Sequence, residues 1–179
     1  MVNKSKGDAS IGLWITKQIT CIFKIKNEEI MRGISTKIFV NANSAFICEN
    51  NIFLRKIREH NQLYFAGLKI GEINKKFKAA LPLLWIIKDY AKNKVWVNEK
   101  AEQLFLYGRD IFASSIIKIE QKLRRGDLAI ILNKLDEPLG LGKMLVDAKY
   151  ILLGGINEDF VAVKNLMDMG WYIRKEKEI

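Results

Sequence analysis

The stretch Tyr90 to Gly108, YAKNKVWVNEKAEQLFLYG, decides the fold. Val95, Trp96 and Val97 are a short run of β-branched and aromatic residues, which reads as a buried strand. Asn98 follows as an N-cap. Its side chain can accept from the unpaired N–H groups of a first helical turn, and Glu99 and Glu102 put negative charge at the positive end of the helix dipole. Ala101, Leu104 and Phe105 then share one helical face, and Gly108 supplies the left-handed residue at which such a helix stops. Linker, strand, capped helix and glycine stop are thus expected in direct succession.

The same grammar continues toward the C-terminus. Ile111 to Ile119 is expected as a strand, Arg125-Gly126-Asp127 as a turn, Leu128 to Leu132 as a buried strand and Asp136-Glu137-Pro138 as another turn. Short strands joined by glycine-bearing turns predict a small barrel. Toward the N-terminus, Leu13 to Lys26 alternates irregularly and is rich in β-branched residues, as are Ile38 to Ile47 and Leu63 to Ile70, so strands are expected in all three. Pro82 suits the first residue of a helix whose Leu83, Ile86, Ile87 and Tyr90 form one stripe. That helix closes a first domain, giving expected domains of residues 1–92 and 93–179.

With 179 residues, 49% of them hydrophobic, the chain can bury one large core or two small ones. Thirty Lys and Arg against 20 Asp and Glu give a net charge of +10, which favours a polyanionic partner, nucleic acid first and membrane second. The longest apolar run, Ala79 to Ile87, is broken by Pro82 and flanked by Lys78 and Lys88, far short of the roughly 20 apolar residues a membrane helix needs. The charged start, Met1 to Asp8, and the brief Ile11 to Ile15 patch do not make a signal sequence, so a cytosolic or nuclear protein is expected.

Catalytic chemistry is poorly supplied. Cys21 and Cys48 lie in apolar stretches without CxxC spacing and are expected as reduced core thiols. His60, the sole histidine, is expected as a solvated side chain, so no metal site, cofactor or catalytic residue is expected. Gly140-Leu141-Gly142 lacks the third glycine of a dinucleotide fingerprint and is expected to mark a bulge or a close backbone contact. Glu28-Glu29 and Asp136-Glu137 are sequence neighbours that do not converge on one site, and Lys122 to Arg125 (KLRR) reads as a basic loop.

Four segments in order, Leu63 to Phe77 (LYFAGLKIGEINKKF), Tyr90 to Gly108, Pro138 to Gly142 (PLGLG) and Asp168 to Arg174 (DMGWYIR), resemble the Nip-seven family of ribosome-biogenesis factors. The resemblance covers roughly Ile52 to Lys175. It implies an α+β protein, a mixed α/β N-terminal domain followed by a C-terminal PUA pseudo-β-barrel. It also implies non-catalytic binding of precursor ribosomal RNA, single-stranded and uridine-rich, during large-subunit biogenesis, alongside other ribosome-assembly proteins and as a monomer. Localisation would be cytoplasmic in an archaeon, nucleolar and nuclear in a eukaryote. The RNA surface it implies lies around the loop after the first PUA helix and the closing strand, here Gly108, Arg109, Arg174 and Lys175. Glycine permits close backbone approach, and arginine grips phosphate or stacks on a base.

Three features extend or qualify that expectation. Between Gly142 and Phe160 only Lys143 and Lys149 supply positive charge. Trp171 and Tyr172 are stacking candidates, of which a regular strand would turn one outward. Residues 1–92 carry 16 basic and 7 acidic side chains against 14 and 13 in residues 93–179. RNA bridging both domains is therefore expected, with Lys75, Lys76 and Lys78 as one edge. The alternatives are a protein-binding scaffold of the assembly or translation-initiation machinery, docking through Trp85 or Trp171, and a catalytic remnant of an RNA-modifying enzyme.

Overall fold

Ile15, Ile19 and Phe23 recur every fourth residue and are wholly buried, the spacing of one helical stripe, and Gly7–Phe23 is a 17-residue helix, α1. The computed structural model describes residues 7–49 and 67–175. Helix α1 overturns the strand expected over Leu13 to Lys26. Its β-branched residues lower helix propensity only slightly, and burying one face outweighs that local preference. The Thr16 hydroxyl turns back onto the carbonyls of Gly12 and Leu13, at 3.1 and 2.9 Å, so it needs no partner outside the helix.

Helix α2, Glu28–Ser35, starts at Asn27, whose side chain accepts from the Ile30 N–H at 3.2 Å. Glu28 and Glu29 occupy its first turn and serve the helix dipole. Strands β1 (Ile38–Asn41) and β2 (Ser44–Ile47) then form a hairpin in which Phe39 and Phe46 stack with centroids 5.1 Å apart. Strands β3 (Leu68–Ile73) and β4 (Phe77–Ala79) complete a four-stranded antiparallel sheet in the order β1-β2-β3-β4. Of the strand expected over 63–70, residues 63–66 lie outside the described residues, as does His60. Cys48 is buried, whereas Cys21 is exposed and is not the core thiol expected.

The chain divides into compact units at Ile86/Ile87, inside helix α3, Leu81–Ile87, which starts one residue before Pro82. The C-terminal unit opens with β5 (Lys94–Val97) and α4 (Glu99–Leu106), capped by the Asn98 side chain accepting from the Ala101 N–H at 2.9 Å. The strand expected over Ile111 to Ile119 is broken into β6 (Ile111–Phe112), a 3-10 turn over Ala113–Ser115 and β7 (Ile116–Ile119). It is followed by β8 (Leu128–Leu132), β9 (Pro138–Met144), α5 (Ala148–Leu152), β10 (Val161–Asp168) and α6 (Gly170–Lys175).

These six strands form one sheet in the order β6-β10-β9-β8-β5-β7, with β5 and β8 parallel and every other pair antiparallel. Its two edges, β6 and β7, are separated by only the three residues of the 3-10 turn. So short a tether between opposite edges forces the sheet to curl into a nearly closed barrel. Val95, Val97, Phe105, Ile111, Ile131 and Val163 are among the buried side chains of its core. The glycines of β9 meet the expectation placed on them. A Cβ at Gly140 would overlap the Met167 carbonyl and one at Gly142 the Val163 side chain, and the ladder shifts register between Asn165 and Met167.

The closing strand expected to carry Trp171, Tyr172, Arg174 and Lys175 ends at Asp168 instead, and these four residues belong to helix α6. Consecutive residues of a helix are turned by about 100°, so Trp171 and Tyr172 are not related by the alternation of a strand. Among the described residues, no helix is long and apolar enough to cross a membrane.

Candidate nucleic-acid interface

Helix α4 ends on Tyr107, and Gly108 follows with φ +84°, in the left-handed region that glycine enters without steric cost. The Gly108 N–H donates to the Phe105 carbonyl at 2.9 Å and the Arg109 N–H to the Leu104 carbonyl at 3.0 Å, the paired bonds of a Schellman motif. The Leu106 carbonyl is taken by the Arg174 guanidinium.

Arg174 is the brace of this turn. Besides Leu106 it grips both oxygens of Asp168, at 3.0 and 2.9 Å, and the Asp168 side chain is only 5% exposed. The hydrogen bonds it donates to that carboxylate raise the guanidinium above its ordinary pKa, against the smaller opposing effect of burial. Gly170 makes the approach possible, because a Cβ there would overlap the Leu106 carbonyl. Asn165 holds the turn from β10. Its side-chain amide donates to the Phe105 carbonyl at 2.9 Å and the Arg109 carbonyl at 3.4 Å, and its N–H donates to Asp110 at 2.8 Å.

The braced turn presents an aromatic ring and a cation to solvent. Tyr107 is 74% exposed and Trp171, next to Gly170, is 45% exposed. Arg109 is exposed and meets no acidic side chain among the described residues. This arrangement suits a flexible polyanion with planar bases, since rings offer stacking faces and a guanidinium binds phosphate bidentately.

The expected site residues fall into four places. Gly108 and Arg109 form the turn, and Arg174 stands behind it, a Cβ on Gly108 lying 3.5 Å from its Nη2. Lys175 ends α6. Lys143 is exposed on β9, directly opposite Lys164 of β10. Lys149 lies apart, over the Tyr150 ring and 4.0 Å from Asp147, in an open groove of about 600 Å³ that Lys122 and Arg124 also line. In the N-terminal unit Lys75 and Lys76 are exposed in the β3–β4 connection and Lys78 on β4, directly opposite Glu72. There Lys69 binds Glu72 at 2.7 Å and, with its hydrogen bond the main cause, holds that carboxyl below the usual carboxylate range.

Sequence reasoning passed over Tyr107, Lys164, Asn165 and Asp168 as site residues. Tyr107 had a legible signal, since it falls off the Ala101–Phe105 stripe that α4 buries. Lys164 interrupts the apolar run Val161-Ala162-Val163. The bracing role of Asn165 depends on Phe105 and Arg109, 60 and 56 positions earlier, and that of Asp168 on Arg174, which itself reaches back 68 positions to Leu106, none of which a local pattern encodes.

Residues 93–177 match the family model described as the UPF0113 PUA domain. A UPF0113 protein of Archaeoglobus fulgidus is 38% identical over 115 residues, 64% of each chain. The 60S ribosome subunit biogenesis protein NIP7 homolog of Rattus norvegicus is 29% identical over 124 residues, 66% of each. The chain thus spans just under two thirds of the length of these relatives, and the expected resemblance to the Nip-seven family is borne out. Among solved structures, a hypothetical protein of Pyrococcus horikoshii superposes with a TM-score of 0.60 at 19% identity, covering 92% of this chain and 95% of that one. A conserved PUA domain protein of Thermoplasma acidophilum gives 0.54 at 19% identity, covering 89% and 95%. Likeness at such identities concerns fold, and the fold is the one expected, mixed α and β with a PUA pseudo-barrel.

Proposed function

We propose, from a chain whose residues 93–177 match the UPF0113 PUA domain model, that this protein is a non-catalytic RNA-binding factor of ribosome assembly. Its target on this reading is precursor ribosomal RNA during large-subunit biogenesis, and other assembly proteins are its partners. The names of the 60S biogenesis relatives and the net charge of +10 support the reading. The observation that carries it is the braced turn at Tyr107–Arg109, where an exposed ring and an exposed guanidinium project from a frame fixed by Arg174, Asp168 and Asn165.

A base must leave its stack to lie on Tyr107, so the preferred target is single-stranded, and a uridine-rich tract, whose bases unstack readily, suits it best. Stacking on an aromatic ring contributes about 1–3 kcal/mol per base. Arg109 adds a phosphate contact that is bidentate and sequence-independent. Lys75, Lys76 and Lys78 of the N-terminal unit supply further phosphate neutralisation, in keeping with the charge excess of residues 1–92. The chain acts as a monomer, cytoplasmic in an archaeon and nucleolar in a eukaryote.

Fluorescence anisotropy of a labelled uridine-rich 12-mer RNA with the full chain tests the proposal. Wild type is expected to bind with a steep salt dependence, and a Tyr107→Ala/Arg109→Glu variant with unchanged melting temperature is expected to bind much more weakly. Equal affinity of the two proteins would remove the turn from the interface.

A further inference from the structure

Lys143 of β9 and Lys164 of β10 are register partners, facing each other across the antiparallel ladder. Directly opposed residues in such a ladder hold their Cβ atoms about 4.5–5.5 Å apart, and like charges placed there destabilise the sheet. Both side chains are exposed, and neither meets an acidic group among the described residues. On its other side Lys143 faces Leu128 of β8, which offers no charge. The carboxylates of the adjoining turns are already committed to backbone N–H groups. Asp110 accepts from Asn165 at 2.8 Å and Asp127 from Arg124 at 2.9 Å. Among the described residues the pair of cations on these two neighbouring strands is thus uncompensated, a placement that works against the sheet's own stability.

We propose that Lys143 and Lys164 are a phosphate clamp, holding one phosphodiester of the bound RNA between their ammonium groups. This rests on the RNA-binding reading above. An anion seated between the two side chains turns their repulsion into a shared attraction, and strand backbones fix the stems of both side chains. Lys164 immediately precedes Asn165, whose amide bonds the Arg109 carbonyl.

The clamp makes a prediction of opposite signs. Lys164→Glu replaces a cross-strand repulsion by an attraction, so the melting temperature is expected to hold or rise while RNA affinity falls severalfold at 50 mM salt. Lys143→Gln/Lys164→Gln is expected to make the slope of log K against log salt shallower by about 0.7, the loss of one single-strand phosphate. The control Lys100→Gln/Lys134→Gln removes the same charge from exposed lysines elsewhere and is expected to change the slope less. If wild type binds the uridine-rich 12-mer and the two double variants match each other, the clamp is wrong while the RNA reading stands. If wild type binds no RNA, that reading falls and sodium tripolyphosphate decides the clamp. A rise in melting temperature with this polyanion that Lys143→Gln/Lys164→Gln abolishes keeps an anion site there, and an equal rise in both proteins overturns it.

Discussion

The guanidinium of Arg174 holds both carboxylate oxygens of Asp168 while donating to the carbonyl of Leu106, so one side chain of α6 ties the end of β10 to the end of α4. The residue expected to grip RNA is thereby engaged within the fold, where it holds the Tyr107–Arg109 turn in place. Arg174→Ala and Asp168→Ala are each expected to lower the melting temperature by several degrees, and the double variant to fall little below Arg174→Ala, because both remove the Arg174–Asp168 contact and Arg174→Ala also frees the Leu106 carbonyl. Arg174→Lys keeps the charge but loses the planar fork and is expected to melt nearly as low as Arg174→Ala. Full stability in the lysine variant, read by thermal unfolding, would show that charge alone suffices.

Two glycines of the turn differ in why they are needed. At Gly170 the obstacle is space, since a Cβ overlaps the Leu106 carbonyl, and Gly170→Ala is expected to cost about 1–3 kcal/mol through backbone displacement. At Gly108 the obstacle is conformation. An added Cβ makes only ordinary contact with Arg174, but φ +84° in a non-glycine residue costs about 1–2 kcal/mol. Gly108→Asn should recover part of that loss and Gly170→Asn none of it, as measured by urea midpoints at constant m.

Tyr107 and Arg109 are predicted to separate stacking from charge. Tyr107→Ala should weaken RNA binding by about 1–3 kcal/mol with little change in salt slope, and Arg109→Gln should make the slope shallower by about 0.7. Both side chains are exposed, so neither change should alter the melting temperature. A salt-slope change on losing Tyr107 equal to that on losing Arg109 would mean that the two do not act in these distinct ways.

The N-terminal lysines give a separate test. Lys75→Glu/Lys76→Glu/Lys78→Glu should make the salt slope shallower by about 2, from three lost phosphate contacts. Unchanged affinity at low salt would confine RNA binding to the C-terminal unit.

What was legible in the sequence was whatever is encoded within a few residues. Val95-Trp96-Val97, the Asn98 cap, the Ala101–Phe105 stripe and the Gly108 stop each carry their own signal, and all four lie where expected. Helix α1 was illegible because its isoleucines and threonines speak for a strand locally, while the buried stripe Ile15-Ile19-Phe23 counts only once a sheet lies beneath it. Helix α6 was misread for a similar reason. Trp171-Tyr172-Ile173 suits a strand, but Gly170 abuts the Leu106 carbonyl and Arg174 reaches back to Asp168, contacts that the sequence does not advertise. In the candidate site, Gly108 and Arg109 came from the resemblance to the Nip-seven family, while the bracing by Asn165 and Asp168 is visible only in three dimensions.

The parallel pairing of β5 with β8 governs how this module can be transplanted. The strand that opens the unit is interior, between β8 and β7, and its leading residue Asn93 is 1% exposed, donating to the Leu128 carbonyl at 3.0 Å and accepting from Ile130. A graft that starts after Asn93 forfeits that anchor, and one that starts after Val97 leaves β8 with an open edge, ready to recruit a strand from another chain. New termini are better placed at Gly154-Gly155, exposed and between elements, so a circularly permuted module opened there keeps its central strand intact.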